Sequence, residues 1–139
     1  MATIHVDIVS AEGEIFRGEA SMVFAPAAMG ELGIAPRHAP LLTNLKPGEF
    51  RVQTPDGQEQ HFYVSGGAME VQPHLITVLA DTALRAKDLD EAAALQAKQR
   101  AEEALRDSKD AMSTAQAAAE LIQAAAQIKL INKLRKPRS

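Results

Sequence analysis

The chain has 139 residues, a formal net charge of −3, no cysteine and no tryptophan, which is room for one ordinary domain or a small domain with an appendage. The missing thiols exclude disulfides, zinc thiolates and cysteine nucleophiles together and suit a reducing compartment. A nearly balanced charge and few aromatic side chains speak against nucleic acid as a partner, and the opening MATIHVDIVS has neither the n- and h-regions of a signal peptide nor the length of a span, so membrane association is expected to be indirect, without lipid insertion.

In chain order, IHVDIV sets Ile4, Val6 and Ile8 against His5 and Asp7, the period-two pattern of a half-buried strand. SMVFA, FRVQT, HFYVS and LITVLA are further strand candidates. After SMVFA comes GELGIAPRHAPLL, Gly30 to Leu42, where two glycines and two prolines punctuate a mostly apolar stretch carrying Glu31, Arg37 and His38. The residues leave open an active-site loop, a metal site or a docking surface; Gly30 and Gly33 would let the backbone turn, and Pro36 and Pro40 would stiffen it. Leu32, Ile34, Leu41 and Leu42 are expected in the core. Pro55-Asp56-Gly57 reads as a tight hairpin turn and Gly66-Gly67 as backbone with positive φ. Short strands at regular spacing up to about Ala83 predict a β-sandwich or flattened barrel.

From Asp88 the period changes. Asp88 and Glu91 match a capping box, and the run LDEAAALQAKQRAEEALRD holds no glycine, proline or β-branched residue. A break of four to six residues at Asp107-Ser108-Lys109-Asp110 is expected to precede a second helix opened by Ser113 with Gln116, running to about Leu134 and stopped by Pro137. The fold class is therefore β + α, a sandwich followed by an antiparallel two-helix hairpin, with the boundary placed between 86 and 87. Both helices are rich in alanine: Ala92, Ala93, Ala97, Ala101 and Ala104, then Ala115, Ala118, Ala119, Ala125 and Ala126. Small side chains permit close helix approach but bury little, each well under the ~1.5–3 kcal/mol of a leucine. Such a hairpin is able to leave a resting place intact; an ordinary hairpin that never moves has the same composition. Lys129, Lys133, Arg135, Lys136 and Arg138 crowd its end, suited both to the helix dipole and to an acidic partner.

Catalytic constellations are not found. His5, His38, His61 and His74 lie on different segments without metal-ligand spacing. Ser65 precedes Gly66-Gly67 outside any nucleophile elbow, and no phosphate loop occurs. The expected catalytic and metal residues are none, and the chain alone is expected not to be an enzyme.

GELGIAPRHAPLLTNLKPG, YVSGGAMEVQP and ITVLADTALRAKDLDEA resemble, in order and spacing, the epsilon subunit family of the bacterial F-type ATP synthase. The resemblance covers nearly the whole chain. It implies a ten-stranded β-sandwich (1–86) that binds the gamma subunit and the c-ring, followed by a regulatory two-helix hairpin (87–139). It implies a central-stalk role, coupling proton flow to ATP synthesis at the cytoplasmic side of the bacterial plasma membrane. The hairpin can extend toward the alpha and beta subunits and inhibit hydrolysis. On the same basis Glu31 would dock on the c-ring and His38 would lie near gamma. Some members bind ATP through an Ile/Leu-Asp-x-x-Arg-Ala pattern. Here the pattern reads Leu89-Asp90-Glu91-Ala92-Ala93-Ala94, with Ala93 in place of the arginine, and Ala125 and Lys129 where strong binders carry arginines. Asp90 and Lys129 then leave a weak ATP site at most, and no cofactor is expected. Arg37 stands where members usually have glycine. A free-standing β-sandwich small-molecule sensor with a helical lid is the alternative from another class.

Overall fold

Strand β1 (Ile4–Ser10) shows the predicted alternation: Ile4, Val6 and Ile8 are fully buried while His5 and Asp7 face outward. The computed structural model describes residues 2–135, so Pro137, Lys136 and Arg138 lie outside the described residues. β1 is antiparallel to β2 (Gly13–Ala20) and parallel to β9 (Leu75–Ala80). The remaining strands are β3 (Met22–Ala27), β4 (Gly30–Ile34), β5 (Leu41–Leu45), β6 (Gly48–Gln53), β7 (Glu59–Val64), β8 (Gly67–Gln72) and β10 (Ala83–Arg85). All ten form one sheet in the order β10-β7-β6-β3-β5-β8-β9-β1-β2, with β4 paired to β3.

The sheet folds over on itself, so its two ends meet. Arg85 of β10 donates from Nη2 to the Ile15 carbonyl of β2 at 2.8 Å, and the Phe16 and Phe62 rings pack at 5.4 Å between centroids. The inward residues of both layers, among them Val23, Ile34, Phe50, Val52, Phe62, Met69, Ile76 and Val78, form a single apolar core. This is the flattened barrel expected from the spacing and the ten-stranded sandwich implied by the resemblance. Tight turns behave as their residues require. Thr54 N–H bonds to the Gln58 carbonyl around Gly57 (φ 88°), and Gly66 and Gly67 adopt φ of 130° and 131°.

Register corrects one core expectation. Leu41, Thr43 and Leu45 share one face of β5, so Leu42 falls on the other, opposite Glu70 of β8, and is 73 % exposed. Ile34 is fully buried, and Leu32 and Leu41 pack against the core as expected.

The chain divides into two compact units, the first ending at Ala86 and the second beginning at Lys87. A short 3₁₀ turn (Ala86–Asp88) spans the boundary, and the second unit holds α1 (Glu91–Asp107) and α2 (Ala111–Arg135). Both predicted caps are displaced by two or three residues. Asp90, not Asp88, caps α1, accepting the Ala93 N–H at 3.2 Å, while Asp88 lies within the 3₁₀ turn. Asp110, not Ser113, caps α2: its carboxylate accepts the Ser113 N–H at 2.8 Å and the Ser113 hydroxyl at 3.1 Å. An aspartate one turn earlier takes the amide that Ser113 would have left open, and the good helix formers that follow join the helix. The connection shrinks to Ser108–Asp110. The helices pack on each other, and their ends show that they run antiparallel: Arg135 pairs with Glu91 at 2.7 Å. Buried alanines recur seven apart on each, Ala94 and Ala101, then Ala117 and Ala124, the period of a coiled-coil seam.

Candidate functional site

The stretch from Gly30 to Leu42 is two strands and a turn. Gly30, at φ 126°, ends the β3–β4 hairpin, whose tip carries a wholly exposed Met29. Gly33 has a different role from the turning assigned to it. It lies mid-strand opposite Phe24, and a Cβ there would meet Met22 Cε at 3.0 Å and the Phe24 ring at 3.4 Å. It is glycine because neighbouring side chains occupy the space.

Glu31 stands next to it on β4, opposite Pro26, with 60 % of its side chain exposed. Its ion pair is with Arg51 on β6, two strands away, Nη2 to Oε1 at 3.5 Å. Arg51 is only 20 % exposed and lies over the Phe24 ring, 4.3 Å from its centroid. The same guanidinium meets Glu59 at 3.2 Å and Glu49 at 3.7 Å, and Glu49 accepts a hydrogen bond from His61 Nδ1 at 2.7 Å. Thus Gly33, Phe24, Arg51 and His61 form a transverse row on β4, β3, β6 and β7.

Beyond the other end of β4, Ala35-Pro36-Arg37-His38 makes a tight turn closed by the His38 N–H on the Ala35 carbonyl at 3.2 Å. Proline at the second position and positive φ at the third are the type II pattern, which favours glycine third. Arg37 holds that place at φ 66°, and among the described residues it is the one non-glycine with positive φ. Its own N–H donates to the Pro73 carbonyl at 2.9 Å. His38 is half-buried, and its Nδ1–H donates to the Ala39 carbonyl at 2.7 Å. Glu31 and His38 therefore flank opposite ends of β4 and do not form one site: strand rise alone separates Glu31 from Ile34 by about 10 Å.

Leu42 and Leu79 emerge on the outer face of β5, β8 and β9, with Ala68 paired beside Leu79. On β1 and β2 of the sheet, His5 bridges Glu19 (2.7 Å) and Asp7 (2.9 Å), and Arg17 pairs with Asp7 (3.3 Å) and Glu14 (2.9 Å). The hydrogen bond to Glu19 raises the His5 imidazole above its ordinary value, helped by Asp7, and correspondingly lowers Glu19.

In the hairpin, Lys98, Ala125, Ile128, Lys129, Asn132 and Lys133 line an open groove of about 490 Å³. Ala125 and Lys129, four apart on α2, share this lining. Asp90 is not in this lining, and its carboxylate is engaged as the α1 cap. Arg85, just before the hairpin, is engaged at the barrel seam with Gln60 and the Ile15 carbonyl. No cluster of metal-ligating side chains occurs among the described residues.

The family model for the delta/epsilon chain β-sandwich domain of ATP synthase matches residues 3–86, and the model for its long alpha-helix domain matches 87–132. The chain belongs to the ATP synthase delta/epsilon chain family. It is 66 % identical over 134 residues to the ATP synthase epsilon chain of Nitrosococcus oceani, covering 96 % of each, and 61 % identical over 138 residues to that of Halorhodospira halophila, covering 98 % of this chain and 97 % of the relative. A chain in the mitochondrial ATP synthase structure of Euglena gracilis (OSCP/F1/c-ring) shares the fold at TM-score 0.80 and 19 % identity, over 91 % of this chain and 79 % of that one. A chain in the central stalk/c-ring structure of Tetrahymena thermophila ATP synthase shares it at TM-score 0.64 and 14 % identity, over 96 % of each.

The chain is accordingly an epsilon-type, non-catalytic subunit of the F-type ATP synthase, and the alternative of a free-standing sensor falls. Sequence reading missed Arg51 and Met29. The signal for Arg51 was its place in FRVQT between the buried Phe50 and Val52, which puts it on the outward face. Its partners depend on register across four strands, which one strand's pattern does not contain.

Proposed function

We propose that the subunit is a rotor element that couples the membrane sector to the catalytic head, with its two units dividing the work. The sandwich docks on the c-ring through Glu31 and the Met29 tip at one end of β4. It docks on the gamma subunit around His38 and the outer face carrying Leu42 and Leu79. The hairpin restrains ATP hydrolysis by extending toward the alpha and beta subunits. The subunit sits peripherally on the cytoplasmic side of the bacterial plasma membrane. No helix among the described residues is long and apolar enough to cross a membrane. Its hairpin groove, lined by lysines without an arginine, takes ATP weakly.

The observation that supports this reading is that two chemically different groups flank the two ends of one strand. An exposed carboxylate stands at one end, and the His38 imidazole lies in the turn beyond the other. The test is affinity isolation of the tagged subunit from detergent-solubilised membranes, with partners identified by mass. Gamma and c subunits should come down with the full chain. Glu31→Ala should lose c while keeping gamma, and a loss of both together, or of neither, contradicts the two-ended arrangement.

A further inference from the structure

We infer that Arg51 is a positioning residue that sets the Glu31 carboxylate for docking; this rests on the reading that Glu31 is a docking group. A glutamate on an exposed edge strand has several rotamers, and fixing one on binding costs free energy. Arg51 restricts that choice beforehand. Its guanidinium is itself held flat by the Phe24 ring at 4.3 Å and by Glu59 at 3.2 Å, with Glu49 at 3.7 Å on the Nε side. Glu49 is steadied in turn by His61. Nη2 then reaches Glu31 at 3.5 Å while Glu31 remains 60 % exposed. Three carboxylates share one guanidinium, so the docking carboxylate is oriented without its charge being cancelled. Gly33 belongs to the same device. It leaves room for the Phe24 ring, on which Arg51 lies.

The test is a titration of full-length variants into ATP synthase complexes depleted of this subunit, reading ATP-driven proton pumping, with thermal unfolding of each free variant alongside. Arg51→Met keeps an unbranched apolar stem over Phe24 and removes the charge. The concentration giving half-maximal pumping should rise about three- to tenfold, the range expected for ordering one side chain on binding. Arg51→Lys, one donor in place of a fork, should recover part of the loss. In a Glu31→Gln background, Arg51→Met should add nothing further. The inference is overturned if Arg51→Met leaves the midpoint unchanged, or shifts it equally with and without Glu31, or acts only in proportion to a lost melting temperature. If Glu31→Gln alone moves nothing, the docking role of Glu31 itself has failed, and the positioning role falls with it.

Discussion

Replacing Arg37 with glycine should stabilise the sandwich. The left-handed backbone at φ 66° costs an L-residue about 1–2 kcal/mol through its Cβ. Glycine removes that cost but adds about 0.5–1 kcal/mol of unfolded-state freedom. The net gain is about 0.5–1 kcal/mol, or about 3–6 °C in melting temperature for a unit of this size. The turn should keep its shape, because it is fixed by backbone bonds, Arg37 N–H to Pro73 and His38 N–H to Ala35, that any residue can make. The lone tyrosine, Tyr63, is buried in β7, so its fluorescence follows the sandwich without the hairpin. Arg37→Ala is the control: it removes the cation and keeps the Cβ. If alanine stabilises as much as glycine, the gain comes from charge or side-chain entropy, and the strain argument is refuted.

His5 gives a pH dependence. A raised imidazole value means that the folded state holds its proton more tightly, so this contribution is complete below the ordinary value of 6.5 and is lost as pH rises through the folded one. Glu19, lowered by the same bond, contributes above its ordinary 4.5 and loses this as pH falls. Melting temperature should decline from about pH 6 to 8, and His5→Gln should flatten that slope, by less than about 1 kcal/mol at so exposed a site; an unchanged slope would place the dependence elsewhere. Gly67→Ala should cost about 3–4 kcal/mol, since a Cβ there would lie 2.2 Å from the Leu79 carbonyl oxygen at φ 131°. Gly57→Ala, with open space around it, should cost only about 1 kcal/mol, and urea titration of both variants by tyrosine fluorescence checks the difference. By calorimetry the subunit should bind ATP in the millimolar range or weaker. Ala125→Arg, which adds a guanidinium to the groove holding Lys98 and Lys129, should tighten binding about tenfold or more, and tight binding by the unaltered chain would contradict the lysine-only reading.

Strand and helix content was legible wherever one short segment carried its own period, as in IHVDIV and the alanine-rich runs. β2, β4, β5, β8 and β10 were not read from the residues. β4 is two-fifths glycine and β10 has three residues, so neither displays an alternation. β2 shows no regular burial alternation, and its pairing with β1 shifts register near Val9. Leu42 shows the same limit from the other side: its hydrophobicity says buried, and only the parity of β5 against β8 says exposed. Glu31 and His38 were identified through their resemblance to a family, whereas Arg51, which organises the Glu31 end, is visible only after four strands are set side by side. In the hairpin, competing caps lie a few residues apart: Asp88 and Ser113 have the right residue types, but Asp90 and Asp110 hold the amides.

The proposed division gives docking to the sandwich unit and restraint to the hairpin unit. The direct measurement is to add the full chain, or a chain ending at Ala86, to ATP synthase depleted of this subunit. Bound subunit and ATP hydrolysis are then recorded together. Both forms should bind in equal amounts, and hydrolysis should be slowed only by the full chain. Equal inhibition by the shortened chain, or its failure to bind while remaining folded by tyrosine fluorescence, would contradict the division.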